Sequence, residues 1–265
     1  MRNMMGRKII IVAGAVLGSM ISTGASLAQD SAGLLKVGVA SVTYGPYMRA
    51  ELGSSSPNFN NGHWLPPGYP VDPRVDFDLG GKSAGFAGLA VGFDWMNGFR
   101  GDISLLHVGR TDVTGPHTTP GAHTDITAGS VATTAVMGNI FFSPFERMGV
   151  NSKLQPFLVA GVGFANNAVG SWSRTNTATT PVVRTFNGHA STSAALSLGV
   201  GVSYQLTPVG KPPIMLEIAY RYYHFGTATG GYTADKGASV PTEPLTFHNN
   251  AGVISFSVRI PLQRL

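Results

Sequence analysis

Eight charged residues are the side chains in this sequence most able to act together. Arg49 and Glu51 stand two apart, as do Arg100 and Asp102, while Glu217 and Arg221 stand four apart; Asp94 and Arg259 complete the set. On a strand such spacings bring side chains to one face, where arginines and carboxylates can pair. Two roles fit: a neutralising network of ion pairs and hydrogen bonds, or a gate on a narrow ion path. The seven histidines (His63, His107, His117, His123, His189, His224 and His248) are the other candidates. No two of them have HExxH spacing. With no cysteine in the chain, a disulfide scaffold, a thiolate nucleophile and a Cys-ligated zinc or iron–sulfur site are excluded. His117 and His123 flank a Pro-Gly turn and could meet. His224 and His248 have Ser and Thr neighbours, the raw material of an acyl hydrolase or transferase, but ordinary loop composition supplies the same. Gly199 and Gly201 fall inside an alternating segment, not ahead of a helix, so no phosphate-cradling loop is read. No catalytic, cofactor-binding or metal-ligating residue is assigned.

The elements that position these residues repeat one unit. From Tyr44 onward, segments of about ten alternating, β-compatible residues are followed by connections rich in Gly, Pro, Asn, Ser or Thr. Eight strands are predicted, at residues 44–52, 86–94, 99–108, 131–142, 155–166, 192–205, 214–225 and 250–262. Met48, Ala50 and Leu52 oppose Arg49 and Glu51; Phe99, Ile103 and Leu105 oppose Arg100, Asp102 and Ser104. Leu216, Ile218, Tyr220 and Tyr222 oppose Glu217, Ala219, Arg221 and Tyr223; Ile254, Phe256, Val258 and Ile260 oppose Ser255, Ser257 and Arg259. One face is greasy and the other is mostly Gly, Ser and Ala with sparse charge. That suits the narrow interior of a small barrel in lipid. A bare Arg facing hydrocarbon costs roughly 2–4 kcal/mol at the midplane, so all eight charges are expected to point into the lumen.

Composition points the same way. Charged residues make up 12%, against about 25% in soluble domains. No apolar run after Ala28 is long enough for a spanning helix. Residues 1–28 read as a secretory signal peptide: Arg2, Arg7 and Lys8, an apolar run over residues 9–21, then Ser26-Leu27-Ala28 with cleavage after Ala28. Residues 29–43 read as a periplasmic segment and 44–265 as the barrel. The signal carries three of the 18 basic residues and none of the 13 acidic ones, leaving 15 against 13, a net +2. With no basic cluster interleaved with aromatics, no nucleic-acid partner is expected.

The connections alternate in length. Residues 53–85, 109–130, 167–191 and 226–249 read as long loops. Residues 95–98 form a tight Asn-Gly turn, 143–154 is intermediate, and 206–213 is compact and Pro-rich. The predicted fold is therefore all-β: a transmembrane eight-stranded antiparallel up-and-down β-barrel with short periplasmic turns and long extracellular loops. Tyr44, Tyr47, Trp95, Phe99, Phe141, Phe142, Tyr222, Tyr223 and Phe225 are read as interfacial girdles.

Particular segments resemble the small outer-membrane β-barrel superfamily, which includes OmpA-like transmembrane domains and opacity-type porin-family surface proteins. They are Gly45 to Gly53 (GPYMRAELG), Gly88 to Asp102 (GLAVGFDWMNGFRGD), Gly138 to Phe142 (GNIFF), Gln155 to Gly163 (QPFLVAGVG) and Leu216 to Tyr222 (LEIAYRY). The resemblance implies a bacterial outer-membrane location and partnership with outer-membrane lipids, lipopolysaccharide and the outer-membrane assembly machinery. The ending, Ile260-Pro261-Leu262-Gln263-Arg264-Leu265, lacks the terminal aromatic typical of such barrels, and no peptidoglycan-binding module is expected after it. A monomer without cofactor or enzymatic activity is expected. It would have a structural or surface-interaction role, adhesin- or antigen-like, with an extracellular ligand taken by the long loops. A small-solute channel is the alternative. Because certain relatives bind haem through surface loops, a haem- or lipid-handling surface barrel is a further one.

Overall fold

The computed structural model describes residues 45–119, 125–150, 152–177, 182–208, 213–235 and 239–262. The expected signal peptide, the segment 29–43, Tyr44 and His123 lie outside the described residues.

Eight long strands close a ring. They are β1 (Pro46–Leu65), β3 (Ala84–Asp94), β4 (Phe99–Pro116), β5 (Asp125–Phe142), β6 (Leu154–Val169), β9 (His189–Gln205), β10 (Met215–Thr229) and β12 (Glu243–Pro261). Each pairs antiparallel with the next, and β12 returns to β1 with Arg49 opposite Arg259. The predicted strands are these eight, and the up-and-down barrel is the fold.

Closure follows from the alternation. Every second residue of β4 from Arg100 to Val108 is buried, while Ile103 and Leu105 between them are exposed. Around the ring the outward positions remain large and apolar: Leu52, Leu89, Ile103 and Leu198 are 69%, 64%, 63% and 68% exposed. A closed ring with such a belt is arranged for hydrocarbon, since no backbone edge is left unpaired and the exposed side chains are those lipid tolerates. No helix among the described residues is long and apolar enough to cross a membrane; strands cross instead.

The strands outrun the bilayer. A transmembrane strand needs about 9–11 residues, yet β1, β4, β5 and β12 have 20, 18, 18 and 19. The surplus builds a second storey above the belt. Where β3 stops, β2 (Val75–Phe77) pairs with β1 and bridges to β4 through Phe77–His117, with Gly80–Thr114 just beyond. Where β6 leaves β5, β7 (Trp172–Asn176) takes its place, followed by β8 (Val182–Phe186) and β11 (Ala234–Asp235). Phe59, Trp64, Phe77, Val113, Trp172, Phe186, Leu245 and Phe247 fill this storey. The four long loops are thus corrected: they are largely strand. Gly109 to Pro116, expected as loop, continues β4, because Thr111 and Val113 alternate into a core that lies outside the membrane.

The opposite end carries short connections. The turn after β3 holds Met96 and Gly98 at φ +56° and +88°, with the Asp94 and Asn97 carboxyl and amide oxygens accepting from the Met96 and Phe99 N–H groups at 3.0 and 3.1 Å. Between β5 and β6 a short helix, α1 (Pro144–Arg147), packs on this turn, and Ser143 N donates to the Gly98 carbonyl at 2.7 Å. The start of β1 and the end of β12 meet here: Leu262 N donates to Pro46 O. The girdle prediction is corrected in part. Trp95, Phe99, Phe142 and Tyr222 face outward, but Tyr47, Phe141, Tyr223 and Phe225 are buried, because neighbours on a strand take opposite faces.

Candidate functional site

The interior of the ring is a stack of layers. The lowest holds all eight charged residues singled out above, none more than 6% exposed. They come from β1, β3, β4, β10 and β12, whose inward positions meet because the barrel is narrow.

Two clusters form. In one, Arg49 lies 2.5 Å from Glu51 and 2.9 Å from Asp102, while Arg221 approaches Glu51 at 3.4 Å. In the other, Arg259 lies 3.1 Å from Glu217 and 3.2 Å from Asp94, and Arg100 is 2.9 Å from Glu217. Each has two cations and two carboxylates, so the formal charges cancel. Hydrogen bonds complete them: Asn139 donates to Asp102 at 2.7 Å, and Ser203 and Ser257 donate to Glu217 at 3.0 and 3.3 Å. Arg100 is held otherwise. Its contact with Glu217 is an ion pair without a directed hydrogen bond, and its guanidinium lies 4.4 and 4.8 Å from the ring centroids of Phe141 and Phe157. Phe141 also faces Arg49 and Arg221, at 5.4 and 5.5 Å, and so joins the clusters.

Above lies an apolar layer of Phe86, Leu106, Val108, Met137, Tyr223, Phe225 and Val253. A polar bridge follows: Asn249 donates to Thr133 and to the Asn167 amide oxygen, both at 2.9 Å, and Asn167 donates to the Phe225 carbonyl at 2.8 Å. The upper-storey core closes the stack. Trp172 stacks on Phe186 at 4.0 Å, and its indole N–H donates to Gly231 O at 3.1 Å. Arg174 lies 3.9 Å over the Trp64 ring and is paired with Asp125. Burial pushes the Arg174 guanidinium below its ordinary pKa, against the upward pull of Asp125.

These apolar layers are what sequence reading missed. Leu106, Met137, Phe157 and Phe225 occupy a face expected to be Gly, Ser and Ala with charge. For two of them the signal was present: Leu106 stands four residues from Asp102 on β4, and Phe225 four from Arg221 on β10.

Among the described residues the histidines form no metal-ligating cluster. His63 meets Glu243 at 3.2 Å and the Asn61 carbonyl at 2.8 Å. His107 meets Thr134 at 2.9 Å and His224 meets Asn250 at 2.5 Å, both on the outer face; His248 meets Thr227 at 3.3 Å. The rings of His224 and His248 stand 6.0 Å apart. Among the described residues no three metal-ligating side chains converge.

A closed eight-strand ring, an apolar belt and a filled interior define a small transmembrane β-barrel. Among solved structures the chain is similar to Neisserial surface protein A (NspA), at 15% identity over 82% of this chain and 97% of that one, with a TM-score of 0.46. OprG from Pseudomonas aeruginosa gives 11%, 84%, 100% and 0.48 in the same order, and the outer membrane protease OmpT from Escherichia coli gives 11%, 81%, 96% and 0.41. No family model and no curated protein matches the chain.

Proposed function

We propose that this chain is a non-enzymatic outer-membrane barrel, exported by a signal peptide cleaved after Ala28, whose lumen is sealed and whose working surface is the extracellular storey. The observation that carries the reading is the stack: a neutral ionic layer topped by two apolar ones. An ion entering it would lose hydration without gaining a polar path, and apolar constrictions oppose wetting. The eight lumen charges then serve as a structural lock rather than a gate. Stability placed in the upper storey supports a recognition role, because a rigid base presents tips such as Tyr69 and Val71, 44% and 91% exposed.

The non-enzymatic reading is supported by histidine geometry. His63 has a carboxylate partner, but its second ring nitrogen is taken by the Asn61 carbonyl, leaving none to activate a nucleophile. Liposome swelling tests the sealed lumen: vesicles carrying the refolded chain should swell in small sugars no faster than protein-free vesicles. Swelling that falls with solute size would favour the channel.

A further inference from the structure

One outward row crosses five strands in direct register: Val91, Ile103, Gly138, Val162 and Leu196. The four apolar residues are 55–63% exposed, and the centre is bare. A Cβ on Gly138 would meet only the Val162 carbonyl, at 3.8 Å. In the next row toward the turns, Phe93 stands opposite Gly101 and Ile140 opposite Ala160. The small positions Gly101, Gly138 and Ala160 adjoin, so backbone forms the floor of an apolar groove of about 1030 Å³. Its lower end is the turn after β3, where the Trp95 indole comes within 3.0 Å of the place a Gly101 Cβ would take. Beside that turn the exposed Arg147 backs against Gly98, 2.8 Å from where its Cβ would be.

We propose that this groove holds one acyl chain of an anionic phospholipid, with the phosphate against Arg147. The proposal rests on the reading that the belt faces a bilayer. A depression in the belt must be filled, since a void forfeits dispersion contacts on one side. A flexible methylene chain fits a curved floor. The groove also starts where a headgroup would lie, at an interfacial Trp with a cation beside it.

The test is native mass spectrometry of the full chain in detergent with added phosphatidylglycerol or phosphatidylcholine. The wild type should retain one phosphatidylglycerol. Gly138→Leu fills the groove without a backbone clash and should lower retention about tenfold, the loss of roughly two methylene contacts. Arg147→Gln should reduce the preference for phosphatidylglycerol over phosphatidylcholine. Equal retention by wild type and Gly138→Leu overturns the proposal, as does a wild-type dimer that Gly138→Leu dissociates. Carbonate extraction of membranes separates the two failures: an extractable wild type overturns both the membrane reading and the groove, whereas a resistant wild type with unchanged lipid retention overturns the groove alone.

Discussion

Arg49 on β1 reaches past β3 to Asp102 on β4, placing Nε and Nη2 at 3.0 and 2.9 Å from a single carboxylate oxygen. The two residues are not strand neighbours, so the contact forms only when the sheet curls β1 and β4 toward each other across β3. It is a lock between non-adjacent staves.

Removing one partner leaves buried charge uncompensated. Arg49→Met should lower unfolding stability by about 3–5 kcal/mol, with Glu51 and Asp102 both losing their nearest cation. Urea titration of the chain refolded in vesicles reads the loss. A change within about 0.5 kcal/mol, typical of surface sites, would mean that the ionic layer is not a lock.

The polar bridge above it makes a smaller prediction. Asn249→Ala removes two hydrogen bonds to Thr133 and Asn167 and should cost about 1–3 kcal/mol, because buried partners stay unsatisfied. Asn249→Asp should cost more, since a carboxylate cannot donate to either partner.

Trp172 belongs to the core of the upper storey and to no belt-level layer. Trp172→Ala should cost that storey about 3–5 kcal/mol and expose β7 and β8 to protease, while the belt-level strands stay resistant. The stacking on Phe186 and the hydrogen bond to Gly231 are both above the membrane. Equal protease sensitivity of wild type and variant would show that the storey does not depend on it.

Glu146 on α1 gives a pH dependence. Burial, and then repulsion from Asp94, raise its pKa above the ordinary carboxylate value. Between the unfolded and folded values the native state holds more protons, so this group's contribution to stability is full below the unfolded value and is lost as pH rises through the folded one. Glu146→Gln should therefore stabilise the barrel at neutral pH, and the gain should vanish in acid. Melting temperatures of both forms between pH 4 and pH 8 check it.

How far the fold was legible depends on which boundary a residue faces. Within the belt, lipid demands apolar side chains on every outward position, so the alternation of Met48, Ala50 and Leu52 against Arg49 and Glu51 is plain in the sequence. Above the belt the outward face meets water. Arg110, Asp112 and Thr114 are exposed there, and only Thr111 and Val113 mark the buried side. Loop composition then hides a strand. The three-residue β2 is below any periodic signal, and its partner Trp64 is far away in neither sequence nor space but lies in a stretch rich in Asn and Gly. The lumen charges were identifiable because hydrocarbon repels them; which arginine meets which carboxylate was not, because barrel closure decides it. The short helix α1 was not anticipated either, although Ser143-Pro144 places a proline at its first turn.

The central claim is that the lumen is sealed, and single-channel recording in planar bilayers tests it most directly. With insertion verified by protease protection, the wild-type chain should give no stable conductance steps at either polarity in high salt. Stable, step-like currents that scale with salt concentration would contradict the filled lumen and make the eight charges a gate.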